Sequence, residues 1–175
     1  MFFARLTQRY LLPAIALTSC LVATIPAITL AQGTPGITIF SGVDSKNRLD
    51  YRLDYGTRNM WDRYVLRISG KKLQQAVYQF TISYPDYYKG KFDSNEVKVI
   101  SKGEEVAIEK VDWNKEDHLL QITLKEPLEP NKKAEIVLDN VKNPDIGTYY
   151  FNCRVLSSTG VANAYYVGTW EISIN

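Results

Sequence analysis

His118 is the only histidine of this 175-residue chain, and Cys153 is the only cysteine after position 31. A nucleophile needs a base within hydrogen-bond reach, as a rule histidine, to draw off its proton. Nothing in the sequence brings these two together, and His118 stands at the mouth of the run Leu119-Leu120, where a hairpin-exit residue is expected. Zinc or copper needs several His or Cys ligands, and one of each is too few. Calcium takes oxygen alone, so Asp86, Asp93, Asn95, Glu96 and Asp145 are the donors to weigh. Asp93-Ser94-Asn95-Glu96 starts like a calcium loop, but Val97 stands where a third oxygen ligand belongs and Lys98 where the glycine does. Turn formation accounts for Asp93 and Asn95 more simply. Glu104-Glu105 and Glu116-Asp117 could supply a glycosidase's paired carboxylates, yet both fall at hairpin tips, where charge is ordinarily solvated. Gly33-Thr34-Pro35-Gly36 precedes no helix and so makes no phosphate cradle. The expectation is a protein that is not an enzyme and uses no cofactor and no metal.

Aromatic side chains offer a different chemistry. Of twelve tyrosines only Tyr10 precedes position 32, and three pairs stand out among the other eleven: Tyr87-Tyr88, Tyr149-Tyr150 and Tyr165-Tyr166. Within a strand, one ring of each pair must point inward and the other outward. Tyr149 shares the parity of Phe151 and Cys153, which leaves Tyr150 outside. Tyr166 shares the parity of Trp170, which leaves Tyr165 outside. An exposed tyrosine gives rigid contact area with a hydrogen-bonding tip, useful against protein and sugar rings alike. The plainer reading is that tyrosine is simply favoured in strands. The stretch from Pro85 to Lys91 is the strongest single candidate, with an aromatic pair followed by Lys89-Gly90-Lys91. The candidate binding residues are therefore Tyr87, Tyr88, Lys89, Lys91, Tyr150 and Tyr165. The loop Lys142-Asn143-Pro144-Asp145-Ile146-Gly147 would join them if both loops fall at one end of the fold. Arg48, Asp50, Arg52 and Asp54 form a row of alternating sign, either a docking strip or charges that keep an edge strand from unwanted pairing.

These residues must be positioned by short strands. Period-two alternation recurs in Leu49/Tyr51/Leu53/Tyr55, Tyr64/Leu66/Ile68, Ala76/Tyr78/Phe80/Ile82/Tyr84, Leu120/Ile122/Leu124, Ala134/Ile136/Leu138, Tyr149/Phe151/Cys153/Val155 and Trp170/Ile172/Ile174. Ser69-Gly70, Lys102-Gly103, Asn114 to Asp117 and Pro130-Asn131 punctuate the reversals. Val97–Ile100 with Val106–Ile108, and Val111–Trp113 with Leu119–Leu124, read as hairpins. The one helical candidate is a turn near Asp93 to Glu96. The fold class expected is all-β, a single antiparallel, immunoglobulin-like β-sandwich. Cys153, on an apolar strand face, is expected to be an inert core residue.

Residues 1–31 have a different character. Arg5 and Arg9 precede a charge-free run from Leu11 to Ala31 that ends Thr29-Leu30-Ala31, the layout of a secretory signal peptide. The run is long enough to serve instead as an uncleaved anchor, and Leu17-Thr18-Ser19-Cys20 resembles a lipobox. The expected organisation is a signal segment over 1–31 and one domain over 32–175, exported to the periplasm or beyond the cell. Membrane contact is expected only through residues 11–31, if they are retained. Without Arg5 and Arg9, the 21 basic residues fall to 19, equal to the 19 acidic ones. A charge-balanced domain has no basic footprint, so nucleic acid is not an expected partner. An envelope protein is the leading partner class and a cell-wall glycan the alternative. A third reading is an envelope hydrolase whose site is not recognisable in the sequence.

Longer stretches carry a resemblance. Ser83 to Asp93, Asn140-Val141-Lys142-Asn143-Pro144-Asp145 and Tyr149 to Cys153 are its core, joined by Phe40-Ser41-Gly42-Val43, Trp61-Asp62-Arg63-Tyr64 and Gly168-Thr169-Trp170. Together they resemble the cyanobacterial secreted family known as domain of unknown function 2808. The resemblance spans essentially all of residues 32–175. It implies an exported protein and supplies no catalytic residue.

Overall fold

Alternating apolar positions sort into ten strands in a computed structural model of the chain, which describes residues 42–157 and 164–175. In chain order they are β1 (Tyr51–Leu53), β2 (Trp61–Ile68), β3 (Val77–Ser83), β4 (Val97–Ser101), β5 (Glu104–Val106), β6 (Ile108–Asn114), β7 (Leu119–Leu128), β8 (Ala134–Lys142), β9 (Gly147–Ser157) and β10 (Ala164–Ile174). Two five-stranded antiparallel sheets result, ordered β1-β2-β8-β4-β5 and β10-β9-β3-β7-β6. The architecture is the expected all-β two-sheet sandwich. The proposed signal segment, with its cleavage, anchor and lipidation alternatives, lies outside the described residues.

Between the sheets lie the side chains that the alternation selects. Tyr64, Leu66 and Ile68 of β2, Leu120, Ile122 and Leu124 of β7, and Phe151, Cys153 and Val155 of β9 are all buried, as is Trp170. The Trp170 indole N–H is shared between the carbonyls of Asp50 and Arg67 across the sandwich, so its one polar atom is satisfied. Burial pushes the Cys153 thiol far up from its usual range, which leaves it protonated and unreactive.

Both expected hairpins form. Lys102 and Gly103 take positive φ between β4 and β5, as a two-residue turn matching the strand twist requires. Asn114 tightens the β6–β7 turn by accepting from the N–H groups of Glu116 and Asp117. The segment Asp93 to Glu96 is a turn. Among the described residues the helical ones are instead Gly70–Lys72, a single 3-10 turn.

Three expectations on parity need correction. In β10 the pairing with β9 shifts between Tyr166 and Gly168, and the extra residue reverses the faces before it. Tyr165 therefore packs against the core and Tyr166 is exposed. In β3 a shift between Val77 and Gln79 buries Val77, so the inward series runs Val77, Phe80, Ile82 and not through Ala76 and Tyr78. Tyr55, placed on the apolar face of the first run, lies beyond the three-residue β1 and is exposed.

The β10 edge is closed by the chain preceding β2. Thr169 exchanges backbone hydrogen bonds with Asn47 and Leu49, and the Tyr51 hydroxyl accepts from the Ser173 N–H. Asn175 exchanges two more with Gly56 and Arg58. Gly168 is where the two segments touch: a Cβ there would lie 2.5 Å from the Asn47 carbonyl oxygen. Such cover removes unpaired groups that would template aggregation.

Candidate functional site

Asp62 organises one end of the sandwich. Its buried carboxylate accepts from the N–H groups of Asp54, Tyr55, Gly56 and Arg63 at 2.7–3.0 Å, and from the Asn143 amide at 2.9 Å. Burial pulls its pKa up, but the Asn143 amide and the backbone donors outweigh it and hold the carboxyl below its ordinary value. Asn143 also donates to the Thr57 carbonyl at 2.8 Å and accepts from the Tyr64 hydroxyl at 2.6 Å. That hydroxyl lies 3.5 Å from the hydroxyl of Tyr88, and desolvation pushes both phenols well above their usual range. A continuous polar chain thus runs from the loop before β2, through the β8–β9 loop, to the loop after β3.

Backbone contacts tie the same three loops. Lys91 and Lys142 exchange N–H···O bonds at 3.0 and 2.9 Å, and Asn143 donates to Met60 at 2.9 Å. Arg58 pairs with Asp145 at 2.9 Å. The Pro85–Lys91 and Lys142–Gly147 loops are therefore neighbours at one end, the condition on which joining them depended.

Tyr88 is a correction. It is 3% exposed, against 53% for Tyr87. Its ring stacks on Phe92 and meets Tyr149 and Phe151 edge-on at 5.2 and 4.9 Å, and its hydroxyl joins the buried chain. Gly90 permits this fold-back, since a Cβ there would fall 2.4 Å from the Tyr88 ring. Tyr87 lies over Tyr149 at 5.6 Å with its other face to solvent. Lys89 is exposed and donates to the Asp86 carbonyl, while Lys91 is exposed and held through its backbone. Tyr150 stands exposed on the outer face of β9. Tyr165 faces inward, its hydroxyl buried against the backbone of Gln75, and leaves the set.

Four residues outside the six candidate binding residues complete this end. Tyr55, Met60, Trp61 and Ile146 are large, apolar and exposed; Trp61 opens β2 and the other three sit on the loops the Asp62–Asn143 pair holds. The Lys142 ammonium lies 5.4 Å over the Trp61 ring. Asp62 and Asn143 themselves fall in two of the stretches that carry the family resemblance, and Asn143 also lies in the Lys142–Gly147 loop that the sequence marks.

The other candidate chemistries have structural occupations. His118 meets Tyr84 edge-on at 5.6 Å, and its carbonyl accepts from the Tyr84 N–H. Asp93 caps its own turn by accepting from the Asn95 N–H, and Asp117 accepts from the Asn114 amide. Among the described residues no cluster of three or more His, Cys, Asp or Glu is placed to hold a metal ion. The alternating row is spent on ion pairs within the fold: Arg48 with Glu171, Asp50 with Arg67, Arg52 with Asp54.

The fold is similar to several solved structures. The bacterial hydrophobin BslA aligns at 14% identity and TM-score 0.49, over 77% of this chain and 97% of that one. An uncharacterised Nocardia farcinica protein with an immunoglobulin-like fold aligns at 11% and 0.47, over 73% and 97%. The major pilin subunit BcpA of Bacillus cereus aligns at 11% and 0.47, over 73% and 40%. At such identities the likeness concerns the fold alone. No curated protein matches the chain. The model of the family described as "Protein of unknown function (DUF2808)" matches residues 37–174, the stretch that contains the strands, the buried polar chain and the aromatic end alike, and the protein belongs to that family.

Proposed function

We propose that this protein is an exported, non-catalytic binding module of the cell envelope that docks a protein partner through the aromatic end of its sandwich. One observation carries the reading. Five of the large apolar side chains that the fold exposes, Tyr55, Met60, Trp61, Tyr87 and Ile146, stand on three loops and the first residue of β2, locked together by a buried polar chain. Rigid aromatic and Met side chains are what protein interfaces are enriched in, and a preorganised patch binds without an ordering cost. Export rests on the charge-free run from Leu11 to Ala31 behind Arg5 and Arg9.

The test is site-specific photocrosslinking in cells from Trp61 and Tyr87, compared with Glu105 in the β4–β5 hairpin. A discrete protein adduct from the first two positions alone, with the adduct from position 87 lost in Trp61→Ala at an unchanged melting temperature, supports the reading. Equal adducts from all three positions, or none, reject it.

A further inference from the structure

The outer face of the sheet β10-β9-β3-β7-β6 is a second, separate surface. Its register sets outward side chains in rows across the strands: Tyr166, Arg154, Thr81, Gln121 and Asp112 form one, and Thr169, Asn152, Ser83, Leu119 and Asn114 the next. Four interstrand steps of about 4.8 Å make each row roughly 19 Å long. The central part forms an open groove of about 580 Å³ between β7 and β10.

The groove is prearranged for polar recognition. The Tyr166 hydroxyl donates to Thr169 Oγ1 at 2.6 Å, and Thr169 donates to Asn152 Oδ1 at 2.6 Å, which fixes the exposed ring beside Arg154. Gln79 donates to Thr81 and accepts from Thr123, at 3.1 and 3.4 Å.

Arg154 is the unusual member. Arg48, Arg52, Arg58, Arg63 and Arg67 each pair with a carboxylate. Among the described arginines Arg154 alone has no ion pair, and its register neighbours Thr81 and Tyr166 carry no charge. Asp112, the one acid in these two rows, stands three strands from Arg154 and is paired with Lys110, and Glu171 of the same strand as Tyr166 is paired with Arg48. A guanidinium without an ion pair, set between a ring held by its hydroxyl and the hydroxyl and amide of Thr81 and Gln121, matches a polyhydroxylated anion. The planar fork takes a carboxylate in two parallel hydrogen bonds, and the ring offers a stacking face.

We propose that this groove binds one chain of an acidic polysaccharide, with a sugar ring on Tyr166, its carboxylate on Arg154, and hydroxyls on Thr81, Gln121 and Asn152. The site shares no residue with the aromatic end, so either reading can fail alone.

Isothermal titration of the full chain with an oligogalacturonate, beside its methyl ester and dextran, tests this. Saturable binding to the free acid is expected, at least tenfold weaker in Arg154→Gln, Tyr166→Ala and Gln121→Glu. Lys98→Gln on the opposite sheet, with the same change of charge, and Tyr87→Ala should bind as the parent does. Absence of saturable binding overturns the proposal. So does equal affinity for the methyl ester, or an Arg154→Gln loss no larger than that of Lys98→Gln.

Discussion

The Tyr64 hydroxyl donates to Asn143 Oδ1 at 2.6 Å, and both side chains are closed to solvent. Through that bond a core strand grips the loop ahead of β9, and Asn143 passes the grip to Asp62 and Thr57. Asn143→Ala removes a donor from a buried carboxylate and the acceptor of a buried phenol together. A loss of about 3 kcal/mol is expected from the unmet groups. Tyr64→Phe leaves the Asp62 contact standing and should cost about 1.5 kcal/mol. Urea unfolding of both variants checks the order; equal losses would mean Asn143 serves only Tyr64.

The same chain sets the pH limits of the fold. Asp62 has its folded pKa below the unfolded value of about 3.9. Its contribution is therefore present above that value and lost as pH falls through the folded pKa. Tyr64 and Tyr88 are shifted the other way, above the unfolded value of about 10. Their contribution is complete below pH 10 and declines as pH rises toward the folded values. Stability measured against pH should show an acid limb that shrinks in Asp62→Asn and an alkaline limb that shrinks in Tyr64→Phe. An acid limb unchanged in Asp62→Asn would assign it to other carboxylates.

Much of this was legible in residue order, because alternation alone decides which side of a sheet a residue faces. Tyr64/Leu66/Ile68 and Leu120/Ile122/Leu124 needed nothing more. Alternation fails where one strand gains a residue. Gly168 was the sole hint of the β10 shift, and Tyr165 and Tyr166 exchange faces because of it. Loops obey no period, so nothing in Tyr87-Tyr88 says which ring turns under. The chain folds back at Gly90, and contacts from Phe92, Tyr149 and Phe151, up to sixty-three positions away, hold Tyr88 inside. Asp62 reads as one more surface acid until the Asp54–Gly56 backbone wraps it.

Gly168 has a consequence for solubility. A valine there would press into the Asn47 carbonyl and the Leu49 side chain, at 2.5 and 2.8 Å for the first carbon alone. The two hydrogen bonds through Thr169 would open, at a cost of about 3 kcal/mol by the usual range for overpacking. The uncovered β10 edge should then pair between molecules. Gly168→Val is expected to unfold at lower urea and to scatter light in a concentration-dependent way. Lower stability with no added scattering would show that residues 47–49 do not guard the edge.

Adjacent tyrosines with opposite burial separate binding from folding within one loop. Tyr88 fills space between Phe92, Tyr149 and Phe151 and brings its hydroxyl to Tyr64, so Tyr88→Ala leaves a cavity and a broken polar chain. A loss of about 4 kcal/mol follows from the large-to-small scale. Tyr87 rests on Tyr149 by one face only, and Tyr87→Ala should cost under about 1 kcal/mol. If the aromatic end docks a partner, Tyr87→Ala must still abolish crosslinking from Trp61 at that near-native stability. Tyr88→Phe is the matching control: it keeps the ring, removes only the hydroxyl, and should keep the crosslink. A Tyr87→Ala protein that melts normally and still crosslinks would leave Trp61 as a binding residue without Tyr87, and the contact would shrink to the loop before β2. If instead Tyr87→Ala melts as low as Tyr88→Ala, the ring contributes to the core through Tyr149, and its loss of crosslinking would say nothing about docking.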